Sequence, residues 1–253
     1  MNGTLFHKIL IGFAFSPNLK ANVFEAMRLA DFLGSHLYFI HVGSKSPAKE
    51  KTFTDILEES PVQPKKLTVL WEEGKPVETI QKQCGEKNID LLLLGAMQRE
   101  NMLKFYMGSI ARKLTRNAPC SVLLLIKPSV IRKPSKHVIV NAFESSQTET
   151  TIKSGLYFSQ ALSASKLTLV EEVNRSEVAV EAVDDRSLRK VTLRKEKLKR
   201  RELSRVKEIL SNIPKKLKEG INIQSQNIFG TRGYSIGHYA KVVRADLLVM
   251  NAA

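Results

Sequence analysis

The sequence predicts an α/β protein built from two doubly wound parallel-sheet domains in tandem. Two observations carry this. Short apolar runs without polar alternation, the pattern of strands buried on both faces, alternate with segments of helical period. The alternation is also written twice. HKILIGFAFSPN (7–18) aligns with SKHVIVNAFESS (135–146) at an offset of 128, which sets Ala14 on Ala142. EGKPVETI…NIDLLLLGA aligns with FGTRGYSI…RADLLVMNA at an offset of 156, which sets Asp90 on Asp246. LGSHLYFIHV (33–42) matches LSASKLTLVEEV (162–173) at an offset near 130, and the offset grows by about 26 residues from there to the last match, so the second copy holds an insertion. The expected domains are residues 1–130 and 131–253, with a basic helical insertion over 186–219.

The elements of the first copy follow in order. ILIGFAF is the first strand. Residues 19–33 carry Val23, Met27, Ala30 and Leu33 at helical spacing. HLYFIHV and KLTVLWE are the second and third strands. Pro76 stands in the first turn of a helix, where its missing N–H costs nothing. DLLLLG is the fourth strand, and SVLLLI is the fifth after a helix over 109–117. Strands separated by helices imply parallel pairing through crossovers. The second copy repeats this as far as DLLVMNAA, so it is expected to lack the last helix and strand.

Composition narrows the function classes. With 253 residues and 43% hydrophobic content the chain can bury real cores. No apolar run reaches the roughly 18 residues of a membrane span. The opening LFHKILIGFAF has no small-residue cleavage site after it and reads as a strand, not a signal peptide. Cys84 and Cys120 stand far apart in sequence, in no metal or redox spacing. A reduced, cytoplasmic setting without membrane contact is the expectation. None of the five histidines pairs with Cys, Asp or Glu at ligand spacing. His41, at a strand end, reads as structural. No G-x-S-x-G elbow, Walker loop or G-x-G-x-x-G occurs, so catalysis is not expected.

The first strand with its short Ser/Pro turn, the block IDLLLLGA, and above all GSIARKLTRNAPCSVLLLIKP resemble the universal stress protein family in its tandem two-domain form. The resemblance implies an adenine nucleotide alpha hydrolase-like fold in each half. It also implies packing of the halves as an intrachain pseudo-dimer, with homodimers a further option. Nucleotide-binding members share a loop of pattern Gly-x2-Gly-x9-Gly-Ser/Thr. Here Gly95, Gly108 and Ser109 fit, the spacing of nine is intact, and Gln98 stands where the middle glycine would be. Glycines let backbone approach a phosphate, and a helix start with a hydroxyl offers an anion site. A Gln at a position needing positive φ is strained. Binders also carry an Asp at the end of the first strand, where Ala14 stands here and Ala142 in the second copy. Val42, ending the second strand, is expected to line the base pocket. ATP, ADP or AMP is thus the implied ligand of the first copy, with Mg only through the nucleotide. The second copy, with Asn251 for the first loop glycine, is expected to bind none. The alternative is a nucleotide-free scaffold, in which Gly95 only ends a strand and Gly108-Ser109 only caps a helix.

The net charge of +15 is concentrated: residues 186–219 hold 14 Lys/Arg and 4 Glu. Leu203, Val206, Leu210, Ile213 and Leu217 give this segment one apolar helical face, with Pro214 bending or ending it. Three readings fit. The segment is a solvated helix covering the second sheet; or Arg194, Lys197, Arg200, Arg201 and Arg205 contact a polyanion such as nucleic acid; or it meets an anionic membrane surface. Absence of interleaved aromatics counts against single-stranded nucleic acid.

Overall fold

A computed structural model describes residues 5–96, 109–173 and 185–251. The chain divides into two compact units, Met1–Lys133 and Pro134–Ala253. Unit 1 runs β1 (Lys8–Gly12), α1 (Leu19–Leu33), β2 (His36–Val42), α2 (Pro47–Glu58), β3 (Lys66–Glu72), α3 (Pro76–Lys87), β4 (Leu91–Gly95), α4 (Ser109–Asn117) and β5 (Ser121–Leu125). Its five strands form one parallel sheet in the order β3-β2-β1-β4-β5. The polar-free runs ILI and LLLL lie at the centre, buried on both faces as their lack of alternation requires. One helical layer packs on Leu10, Ile40, Leu92 and Leu94 through Ile80, Cys84, Ala111 and Leu114.

α2 had no periodic signal of its own beyond its cap. Ser46 sits in an extended conformation and its hydroxyl accepts from the Lys49 N–H, with Pro47 at the first helical position. One side chain, Phe53, is buried from this helix. The two cysteines, 36 residues apart in sequence, meet in the core, where the neighbouring Cys120 thiol and then burial raise the Cys84 pKa.

Unit 2 runs β6 (His137–Asn141), α5 (Thr148–Ala161), β7 (Lys166–Val173), α6 (Asp185–Asn212), α7 (Lys215–Lys218), β8 (Asn222–Phe229), α8 (Tyr234–Val242) and β9 (Leu247–Val249). Its parallel sheet has the order β8-β7-β6-β9, which is the order of unit 1 without the last strand. The insertion is one 28-residue helix, α6, and Pro214 ends it. Its last turns bury Val206 and Ile213 against β6, β7 and α5.

The repeated residues do repeated work. Asp90 Oδ2 accepts from the backbone N–H groups of His7 and Lys8 at 2.9 and 2.8 Å. Asp246 Oδ2 does the same for Lys136 and His137 at 2.8 and 3.0 Å. Each carboxylate, just ahead of a fourth strand, pins the start of the central strand beside it. The DLL signature is therefore a structural clamp.

Candidate functional site

In unit 1 the chain leaves β1 toward β2 on one side and returns to β4 on the other. The carboxyl ends of β1 and β4 therefore flank the switch point where open parallel sheets hold ligands. Gly95 is the last residue of β4. Ala14 lies two residues past β1 and is exposed. Val42 ends β2, half-buried against the core. Ser109 is exposed at the first position of α4. Gln98 and Gly108 lie outside the described residues. The fold thus brings the predicted strand-end residues to one edge.

Asn22, which sequence reasoning missed, sits at this edge. A Cβ on Gly95 would lie 2.7 Å from the Asn22 Nδ2, so the glycine makes room for that amide. The Asn22 Oδ1 is buried and has no hydrogen-bond partner among the described residues. An unmatched buried acceptor costs roughly 1–3 kcal/mol. The available signal was a polar residue in the first turn of a helix whose neighbours Val23, Phe24, Ala26 and Met27 are all buried.

Toward β2 and β3 the edge is aromatic. Phe13 stacks on Phe53 with centroids 4.1 Å apart. His41 lies 5.4, 5.3 and 5.2 Å from the rings of Phe13, Phe15 and Trp71. The His41 Nδ1 is 3.2 Å from the Phe13 carbonyl, which fixes the ring. Its Nε2 is buried against Gly43, without a partner among the described residues. Phe15 remains 37% exposed. Lys45 and Lys49 stand 5.9 Å from the centroids of Trp71 and Phe15. The group offers flat apolar faces and a cationic rim. Among the described residues no cluster of three or more His, Cys, Asp or Glu could hold a metal ion.

Unit 2 has closed the same edge with its own side chains. By strand register Glu171 stands where unit 1 has His41, and Glu172 where it has Val42. The Arg205 guanidinium, delivered by α6, reaches the Glu171 carboxylate at 2.5 Å and the Ala142 carbonyl at 2.6 Å. Ala142 is buried, and the register sets it on the buried Phe13, one residue off the sequence pairing with Ala14, whose counterpart is Phe143. Asn251, in the place of Gly95, donates to the Ser145 hydroxyl at 2.9 Å. Glu172, buried, accepts from the N–H groups of Gly233 and Ile236 at the start of α8. It thereby caps α8, the counterpart of α3 in unit 1.

Of the basic residues singled out in the insertion, Arg205 is held in this half-buried ion pair, and Arg201 meets the exposed Glu144 at 3.3 Å. Lys197 and Arg200 are exposed. The Arg194 side chain lies outside the described residues. No described helix is long and apolar enough to cross a membrane.

Residues 5–125 match the universal stress protein family. No curated protein matches the chain. Among solved structures, a universal stress protein from Archaeoglobus fulgidus is similar over 96% of this chain and 86% of its own, with 14% identity and a TM-score of 0.66. A putative universal stress protein from Pseudomonas aeruginosa is similar over 99% of this chain and 84% of its own, with 15% identity and a TM-score of 0.62. These two likenesses show the fold. The first unit thus matches the universal stress protein family over residues 5–125, and the chain carries that α/β fold twice.

Proposed function

We propose that this is a non-catalytic universal-stress-type protein that binds one adenine nucleotide, ATP, ADP or AMP, at the switch point of unit 1. The observation that carries the reading is the contrast between two equivalent edges. Unit 2 fills its edge with the Glu172 carboxylate, in the place of Val42, and with the Asn251–Ser145 bond. In unit 1 Gly95 and Ala14 contribute almost no side chain, and the Asn22 acceptor is unmatched among the described residues. Phosphates would lie toward the start of α4, where orphan N–H groups and the Ser109 hydroxyl favour an anion. The base would lie toward Val42 and Phe15. Asn22 takes the polar role that Ala14 cannot play.

A second reading, a scaffold that binds no nucleotide, is favoured by the aromatic group, which caps the ends of β1, β2 and β3 where a base would enter. Trp71 is the single tryptophan of the chain and belongs to that group. Titrating Mg-ATP, ADP and AMP against its fluorescence separates the readings. The nucleotide reading expects a saturable change that Gly108→Val abolishes and Asn22→Ala weakens about tenfold. A flat signal at millimolar ligand, together with no protection from thermal unfolding, supports the scaffold.

A further inference from the structure

The basic helix of unit 2 is not used by the nucleotide reading. α6 is 28 residues long, about 42 Å at 1.5 Å per residue. Its C-terminal turns are packed: Val206 and Ile213 are buried, with Ile209 and Leu210 beside them. The described side chains of its N-terminal part face solvent. The side chains of Arg189, Thr192, Leu193, Glu196, Lys197 and Arg200 are all exposed, Leu193 by 65%. A helix gains most of its stability from a packed face, and among the described side chains that face lies in the C-terminal turns.

The charges are also arranged. At 100° per residue, Arg189, Lys197, Arg200, Arg201 and Lys207 fall within an arc of about 120°, and all five are exposed. The helical positions of Arg186, Lys190 and Arg194 fall on the same side. Glu196 stands at the rim of this arc and Glu208 at its end. From Arg189 to Lys207 the stripe runs about 27 Å.

We infer that this stripe is a docking surface for the phosphate backbone of duplex nucleic acid, recognised without regard to sequence. A straight row of mostly guanidinium groups suits a rigid rod of phosphates, which Arg binds in bidentate fashion, and a major groove admits a helix. The described part of the basic face carries no Phe, Tyr or Trp. It therefore lacks the stacking platform for single strands, and the exposed Leu193 within the arc is a small apolar area to enter a headgroup boundary. The apolar face of the last turns is spent on the unit's own core. Arg205 takes no part, being held by Glu171.

The test measures binding of the whole chain to a 30-base-pair duplex by fluorescence anisotropy at several salt concentrations. Neutralising about five phosphates predicts a slope of log K against log salt near −4.5. The variant Arg189→Gln/Lys197→Gln/Arg200→Gln/Lys207→Gln should lose at least a hundredfold in affinity at 50 mM salt and flatten that slope. All four side chains are exposed, so its circular dichroism and melting should match the parent, and its Mg-ATP titration should be unchanged. Two parallel arms use the same-length single strand and vesicles containing phosphatidylserine. Weaker binding to the single strand than to the duplex supports the inference. No retention of duplex at 50 mM salt overturns it. So does duplex binding that the variant leaves intact, and so does capture by vesicles without capture by duplex.

Discussion

Gly95 shows how one residue carries two explanations. As the first glycine of a phosphate loop it would admit a ligand; in the fold it admits Asn22. The two are separable. Gly95→Ala drives a methyl to within 2.7 Å of the Asn22 amide, and overpacking of this kind costs typically 1–3 kcal/mol. Chemical denaturation should show that loss. The double variant Asn22→Ala/Gly95→Ala should recover most of it, with a coupling above 0.5 kcal/mol. Additive losses would mean that the amide does not set the glycine.

The histidines make a second residue-scale prediction. Burial, then Lys66 and Lys8, holds the His36 pKa below its usual value. Burial, then Lys166, does so for His137, partly opposed by the Val243 carbonyl and Asp246. Each ring shares a hydrogen bond with a threonine hydroxyl, Thr68 at 2.9 Å and Thr168 at 2.8 Å. A depressed histidine pKa means that the unfolded chain binds protons first. The stabilisation is complete above the ordinary histidine pKa of about 6.5 and is lost as pH falls below it. Melting temperature should therefore drop from pH 7 to pH 5, and His36→Gln/His137→Gln should flatten that drop.

At the scale of elements, most of the fold was legible because the central strands are unusually pure. ILI and LLLL lack polar alternation, which only burial on both faces explains, and the helices over 19–33 and 109–117 lie where periodicity and spacing set them. α2 was not legible, because it buries one side chain and leaves no stripe to read. Helix ends were only half legible. α1 ends on Gly34 at φ 66°, but by register the matching position after α5 is Ser163 at φ 58°. After α3 and α8 the matching positions are Asn88 and Arg244, both at φ 52°. A side chain in the left-handed region costs roughly 1 kcal/mol that glycine does not. Ser163→Gly and Arg244→Gly should each raise stability by about 0.5–1 kcal/mol in denaturant melts. Loss of stability in either would mean that the side chain holds a contact worth more than the backbone strain.

At the scale of the molecule, one fold written twice has ended in two different edges. The sequence repeat located both edges, since strand ends follow from strand positions. What filled them was not legible, because it depends on residues distant in sequence. Arg205 reaches Glu171 only because the insertion folds back over unit 2, and Asn22 meets Gly95 only once α1 packs across β4. The aromatic group at the β1–β3 ends is likewise assembled from Phe13, His41, Phe53 and Trp71 on four separate elements. The central claim is that one edge is open to a nucleotide and the other is closed. Isothermal titration of the whole chain with Mg-ATP tests it most directly. One site per chain is expected, retained when Arg205→Ala alters unit 2 and lost in Gly108→Val. A stoichiometry of two, or one site that survives Gly108→Val, would contradict it, as would no heat at millimolar ligand.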